Sequence, residues 1–274
     1  MKINIYLFLF MISGICYSQI EKINLPSGYD FKIKYSPNNV TKIYSIYITK
    51  KGIISFERNR LSTKELGDFL FSEKTKFPKV NNRITKLLLY ADINVDYNYI
   101  DAVKSAISSA KINSVYYRTN SLDDITKGLG LRNIASLFYK KELPLKNNPG
   151  DIIVDNIVEK HPIQNLQDEL YNQNFNHVNL LLKKLKYKEI EFINGNEIRI
   201  GNKKVKLSNT ESIYNEIKNL DFYFIKTNSK LKYGNYFKNI STIIKLYRDK
   251  KVDIPFIEVS IELQKILNIK NIKF

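Results

Sequence analysis

Two stretches of this chain, residues 43–120 and 187–260, carry the same succession of local signals, and that recurrence constrains the fold more than any other feature. In the first stretch, Ile43 to Thr49 (IYSIYIT) is β-branched and aromatic, Lys50-Lys51-Gly52 is a turn, and Ile53 to Arg58 returns as a second strand. Ser62-Thr63-Lys64-Glu65 has the S-x-x-E spacing of a capping box, and Leu66, Phe69 and Leu70 follow at helical spacing. Ile84 to Tyr90 reads as a buried strand. Asp96 is placed to cap a second helix with an apolar stripe of Ile100, Val103, Ile107 and Ala110, and Ser114 to Arg118 closes the set. In the second stretch, Ile190 to Ile193 and Glu197 to Ile200 flank an Asn-Gly turn signal, and Ser208 to Glu211 is again S-x-x-E. Asp221 to Lys226 is a strand, Tyr236, Ile240, Ile243 and Tyr247 form a stripe, and Ile254 to Val259 is the last strand. The expected fold class is α+β: two tandem β-β-α-β-α-β units, each an open sheet with two helices on one face and a core of its own. Ile54 should overlie Ile198, Leu66 should overlie Ile213, and Tyr97 should overlie Tyr233.

The flanking segments divide the rest. Lys2 followed by the uncharged apolar run Ile5 to Tyr17 and small residues before Gln19 predicts a signal peptide over 1–18, cleaved after Ser18. The run is shorter than the roughly 20 apolar residues of a membrane span. An uncleaved N-terminal anchor is the alternative. Residues 19–42 form a lead-in with one short strand, Phe31 to Tyr35. Residues 121–186 are a connector of mixed structure, with a helix over Leu129 to Phe138, an apolar stretch Asp151 to Val158 and a helix within Asp168 to Leu182. The second unit spans 187–274.

Cys16, Met1 and Met11 all lie in the leader, so a mature chain would offer no thiol for a disulfide, a metal or nucleophilic catalysis. His161 and His177 have no H-x-x-x-H partner, so no metal site is expected. Gly128-Leu129-Gly130 lacks the third glycine of a dinucleotide loop and reads as a turn. The pairs Asp123-Asp124 and Asp151/Asp155 are ordinary loop and helix-start acids. No catalytic constellation, cofactor or enzyme activity is expected.

The formal charge is +17, but the lysines are spread along the whole chain. Two denser stretches exist: Lys183, Lys184, Lys186 and Lys188, interleaved with Tyr187, and Lys203-Lys204-Val205-Lys206. Export argues against a nucleic-acid partner. A solvated strand face is the expectation, with anionic envelope polymer or lipid headgroups as the partners that fit the compartment.

Residues 43–120 resemble the periplasmic domain of the ExbD/TolR family of biopolymer transport proteins. Two pieces carry the resemblance: YSIYITKKGIISFERNRLSTKEL (44–66) and LLLYADINVDYNYIDAVKSAISSAKINSVYYRTN (87–120). Ala91-Asp92, Val95, Tyr97 and Ile100 stand where the family has A-D-x-x-V-x-Y-x-x-V, and Thr119 matches the threonine after the next strand. In 187–260 a degenerate copy keeps Tyr233 for Tyr97 and Leu231 for Val95, with Asn228 for the aspartate and Thr227 for the alanine. The resemblance implies a small domain that tends to pair and meets transporters, envelope proteins or peptidoglycan. The family's transmembrane helix bears a protonatable Asp, which Ile5 to Tyr17 lacks. The expected protein is therefore a non-catalytic exported module, periplasmic or secreted, linked to biopolymer transport or envelope maintenance. Self-association and membrane association remain compatible with it. An inner-membrane, anchored ExbD-like subunit is the alternative, and a secreted enzyme of unfamiliar type is a third reading. The candidate contact residues are Asp92, Tyr97 and Tyr233, together with the basic patch. Asp92 is expected to close a loop through backbone amides, and Tyr97 to pack its ring under the helix.

Overall fold

A computed structural model of the chain describes residues 22–27, 40–57, 59–76, 84–110, 114–120, 128–132, 162–251, 254–270 and 272. The leader, Phe31 to Tyr35, Asp123-Asp124, Asp151 to Val158 and His161 lie outside them. Unit 1 contains β1 (Val40–Ile48), β2 (Ile54–Phe56), β3 (Asn59–Arg60), α1 (Thr63–Lys76), β4 (Ile84–Ala91), α2 (Tyr97–Ser109), β5 (Ser114–Arg118) and β6 (Gly128–Arg132). Two helices follow, α3 (Pro162–Tyr171) and α4 (Phe175–Leu182). Unit 2 contains β7 (Tyr187–Phe192), β8 (Glu197–Ile200), β9 (Lys203–Lys206), α5 (Thr210–Ile217), β10 (Phe222–Thr227), α6 (Tyr233–Lys250) and β11 (Phe256–Glu258), and then α7 (Ile261–Ile269).

The units form separate sheets with matching strand order. Sheet 1 runs β3-β2-β1-β4-β5-β6, and sheet 2, written from the corresponding edge, runs β9-β8-β7-β10-β11. In each, a hairpin strand pairs in parallel with the strand between the helices. Register places the expected pairs at equivalent sites: Ile54 lies opposite Ile48, and Ile198 lies opposite Phe192, the hairpin partner at the corresponding position. Leu66 and Ile213 are both buried in the fourth position of their helices, and Tyr97 and Tyr233 both open theirs. The α+β tandem architecture is thus present, with two strands more than expected in unit 1 (β3 and β6) and one more in unit 2 (β9). The β9 edge, KKVK, turns Val205 inward and its lysines outward, which blunts a strand edge against further pairing.

Four local expectations are corrected. Gly128-Leu129-Gly130 is strand, not turn, and Leu129 to Arg132 continues that strand rather than starting a helix, because this segment finds antiparallel partners along β5. The capping box of α1 forms as expected: Ser62 N donates to Glu65 Oε2 at 2.7 Å, and Glu65 N donates to Ser62 Oγ at 3.2 Å. These bonds hold the Glu65 carboxyl below its usual range. The second box does not form. Asn209 caps α5 instead, accepting from Ser212 N at 3.0 Å, while Glu211 pairs with Lys250 at 2.6 Å. Asparagine is as strong an N-cap as serine, so the start shifts by one residue. Asp96 does sit at the N-cap of α2, but its side chain makes no cap bond there.

The fourth correction concerns the core. The helix-bearing faces of both sheets and helices α1, α2, α5 and α6 share one continuous cluster, from Ile46 and Leu89 in unit 1 to Ile190 and Ile225 in unit 2. A second, smaller cluster covers the opposite face of sheet 2, where α3, α4 and α7 pack on Phe222, Phe224, Ile257 and Val259. The connector thus contributes two helices to unit 2: one lies within Asp168 to Leu182 as expected, and the other, Pro162–Tyr171, starts before that segment. Leu88 is buried on β4, but Leu87, Leu89 and Ala91 are the β4 residues that face the shared core, so alternation points Leu88 to the other side.

Candidate functional site: the seam between the units and a basic groove

The units meet along a short seam at the N-termini of α2 and α6. Asp96 and Lys232 form an antiparallel bridge, 136 residues apart in sequence, and the Lys232 Nζ reaches Asp96 Oδ1 at 2.5 Å. Around them the backbone bonds are reciprocal. Tyr97 N donates to Leu231 O and Tyr233 N to Val95 O, both at 2.8 Å. Asn98 N donates to Ser229 O and Gly234 N to Ile93 O, at 3.1 and 2.9 Å. Each bond has a twin with the units exchanged, so the seam has a local two-fold axis, as an isologous dimer interface does. Both N-cap residues have the same backbone, with φ −70 and ψ 142 at Asp96 and φ −69 and ψ 142 at Lys232. Asp96 spends its carboxylate across the seam, which is why it does not cap its own helix.

The motif residues Asp92, Tyr97 and Tyr233 converge here with structural roles. Asp92 is buried, and its Oδ1 accepts from Asn94 N at 2.8 Å while Oδ2 accepts from Asn24 N at 2.9 Å. Asn228 makes the same turn in unit 2, accepting from Lys230 N at 2.9 Å. Tyr97 packs at a tilt against Tyr236 with ring centroids 4.5 Å apart, and Tyr233 stacks on Tyr236 with centroids 6.2 Å apart. Among the described residues the Tyr233 hydroxyl has no hydrogen-bond partner.

Beneath this bridge lies a cluster that sequence reasoning missed. Lys104, in α2 and fully buried, donates to Glu258 Oε2 of β11 at 2.5 Å, and Tyr236 OH donates to Glu258 Oε1 at 2.5 Å. Lys104 also lies 3.4 Å from the hydroxyls of Tyr97 and Tyr236. Burial pulls the Lys104 ammonium toward neutrality, but Glu258, with Tyr117 and Tyr97 beside it, outweighs that and carries its pKa well above the ordinary lysine range. Burial drives the Tyr97 and Tyr236 hydroxyls well above their usual range, so both remain donors. Burial likewise raises Asp101, one turn earlier in α2, to about 6 against the pull of Lys104. Its Oδ2 accepts from Ile261 N at 3.0 Å, which ties α2 to the start of α7, and its Oδ1 has no partner among the described residues. A lysine inside an apolar helical stripe was the available signal: Lys104 falls four residues after Ile100 and three before Ile107. The cluster is sealed from solvent, so it holds the units together and presents nothing to a ligand.

The surface facing solvent is different. In unit 2 a groove of about 990 Å³ runs between the β7–β8 turn, the start of α5 and the outer side of α6. Lys206, Lys238, Lys245 and Lys250 line it, with Ser208 and Thr242 among the polar groups between them. Unit 1 closes the corresponding interval. Gly67 of α1 faces Ala106 and Ser109 of α2 so closely that a Cβ there would stand 3.3 Å from Ser109 Oγ and 3.7 Å from Ala106 Cβ. Counted along the equivalent helices, the larger residues Tyr214, Thr242 and Lys245 occupy these places in unit 2, and Thr242 and Lys245 line the groove. At the hairpin end, Tyr99 covers Gly52, which has φ +77 and no room for a Cβ, where unit 2 has the smaller Asn235 over Gly195.

The basic stretch Lys183, Lys184, Lys186 and Lys188 is not one surface. Lys183, Lys184 and Lys186 are exposed, but Lys188 joins Lys203 in clamping Glu216, at 2.7 and 2.8 Å. The two lysines hold the Glu216 carboxyl down at about 2. Tyr187 stacks on Phe222 with centroids 5.4 Å apart, so its ring is committed to packing. His177 pairs with Glu169 at 3.1 Å. Among the described residues no group of three or more His, Cys, Asp or Glu is placed to hold a metal ion, and no helix is long and apolar enough to cross a membrane. No family model, no curated protein and no solved structure matches the chain.

Proposed function

We propose that this protein is a non-catalytic, exported component of the bacterial envelope, an interaction module built from two ExbD/TolR-like units and linked to biopolymer transport or envelope maintenance. The observation that carries the reading is the contrast between the groove and its counterpart. The groove is open to solvent and lined by four lysines against two acids, Glu197 and Asp249, whereas Lys104 and Glu258 beneath the seam are buried. An open, lysine-rich trough suits an extended anionic partner held by several weak contacts better than it suits a small substrate that must be enclosed. In the envelope the carboxylate-bearing chains of peptidoglycan, or an acidic segment of an envelope protein, have that chemistry. The order of strands and helices in each unit supports the resemblance stated from residues 43–120.

Co-sedimentation with purified peptidoglycan sacculi tests the polymer, and crosslinking in cells followed by co-purification tests the protein partner. The protein should pellet with sacculi, and Lys238→Glu/Lys245→Glu should lose roughly tenfold or more in retention, as expected for reversing two of four contacts worth on the order of 1 kcal/mol each. A protein that stays in the supernatant and captures no envelope component from crosslinked cells defeats the proposal. The apolar run Ile5 to Tyr17 favours a second reading, an anchored subunit, and N-terminal sequencing of the native protein separates the two. A start at Gln19 supports the exported module, and a start at Met1 supports the anchor.

A further inference from the structure

We infer that the buried pair Lys104–Glu258 encodes which unit pairs with which, so that the seam accepts the other half of the same chain and rejects a second copy of either half. The backbone of the seam is two-fold symmetric, and its symmetry is broken by the exposed pair Asp96–Lys232 and, in the buried interior, by Lys104 and Glu258. Equivalent residues follow from strand register and helix starts. Lys104 corresponds to Ile240, since Tyr97 and Tyr233 open α2 and α6. Glu258 corresponds to Tyr117, because Tyr117 pairs with Leu89 on β4 and Glu258 with Ile225 on β10. All four side chains are buried.

Three pairings are therefore open to two units that share a backbone seam. Unit 1 with unit 2 sets one ammonium against one carboxylate, with Tyr236 completing the carboxylate's bonds. Unit 1 with unit 1 would bring two lysines to the axis and replace Glu258 by Tyr117. Each lysine would then lose Glu258, and each Asp101, one turn earlier in α2, would lose the amide of Ile261, a residue of the other half. Unit 2 with unit 2 would bury two carboxylates opposite Ile240, with no cation. A buried charge without its partner is strongly unfavourable, whereas the same backbone bonds form in all three arrangements. The main chain therefore permits every pairing, and the charge pair discriminates between them, as a single buried polar position sets partner choice in a coiled coil.

The bridge offers a direct readout. Asp96 and Lys232 face each other as a non-hydrogen-bonded antiparallel pair, a geometry with Cα atoms about 4.5 Å apart, and this lies within the span of a disulfide. In a unit 1 with unit 1 pairing, residue 96 would face residue 96 of another chain. The full chain carrying Cys16→Ser and Asp96→Cys should therefore refold without interchain disulfide. Adding Lys104→Ile and Glu258→Tyr, which gives each unit the residue of the other at these two sites, should make interchain 96–96 dimers a major species on refolding at high concentration. A complementary experiment does not depend on that variant folding. Lys104→Glu chains and Glu258→Lys chains each carry like charges at the seam, but exchanging halves between the two satisfies both pairs. Co-refolding them should yield 1:1 heterodimers by light scattering, and neither alone should dimerise. The inference is overturned if the Ile/Tyr chain refolds and stays as free of crosslink as its reference, or if the complementary mixture gives no heterodimer.

Discussion

Unit 1 and unit 2 share strand order, register and helix starts, yet they differ in opposite directions at their two surfaces. Unit 1 closes its helix pair with Gly67, Ala106 and Ser109, and unit 2 opens the same interval with Tyr214, Thr242 and Lys245. The far face of sheet 2 is covered by α3, α4 and α7, which belong to the connector and the C-terminus and have no duplicate among the described residues. One copy thus has close helix packing, while the other has a lysine-lined groove and a second core behind its sheet. Beneath the seam, Lys104 stands where unit 2 has Ile240, and Glu258 stands where unit 1 has Tyr117.

The largest effect expected from breaking this comparison is at the charge pair. Glu258→Gln leaves the Lys104 ammonium without its counter-charge and should cost about 3–5 kcal/mol in denaturant unfolding, since both side chains are buried. Ile240→Val, at the symmetry-related site, should cost only about 0.5–1.5 kcal/mol. Equal losses would show that the pair contributes no more than packing. Next are the central strands. Leu88→Ala should cost roughly 2–5 kcal/mol and Phe224→Ala, its equivalent, roughly 3–5 kcal/mol, in proportion to the volume each leaves empty. Gly67→Tyr imposes the residue of unit 2 on the closed helix pair and should cost roughly 1–3 kcal/mol by overpacking, read as a lower melting temperature.

Acid titration sharpens the comparison further, because the two units should respond with opposite sign. Glu216 is lowered on folding, so its contribution is present above the ordinary carboxylate range and is lost as pH falls toward about 2. Asp101 is raised on folding to about 6, so its contribution is fully present below an unfolded pKa of about 3.9 and is lost as pH rises through about 6. Asp101→Asn should flatten the stability profile between these values, and Glu216→Gln should flatten the acid limb. If neither variant changes its limb, these two groups do not set the acid response. The smallest effect concerns the caps. Ser62→Ala and Asn209→Ala should each cost about 1 kcal/mol, and Ser208→Ala should stay within about 0.5 kcal/mol.

The elements that were legible in the sequence are those specified by neighbours in the chain. The hairpins, the α1 capping box and the stripes of α2 and α6 each depend on residues within a few positions of one another. Asp92 and Tyr97 fall where the loop and ring readings place them, because an Asx turn and a helix-opening aromatic are also local. What was not legible depends on distance along the chain. The capping role of Ser208 lost to Asn209 next door, and Glu211 was drawn off by Lys250 from another helix. Strand β6 needed β5 to declare itself. The Lys104–Glu258 pair spans 154 residues, and nothing near Glu258 announces that its partner sits inside an apolar stripe in the other unit. The groove is lined from the β7–β8 turn, the β9–α5 loop and α6, segments that only the folded chain brings together.

The reciprocal bonds of the seam have a consequence for how such a chain can change. In a symmetric dimer of separate copies every substitution occurs twice, once on each side of the axis, so a lysine near the axis always meets a lysine. When both halves are encoded in one reading frame, that coupling is gone. A mutation at Lys104 leaves Ile240 untouched, and each half can be tested by selection on its own. Asymmetry at an interface becomes heritable one codon at a time, which is a route from a duplicated domain to two halves that can no longer replace each other.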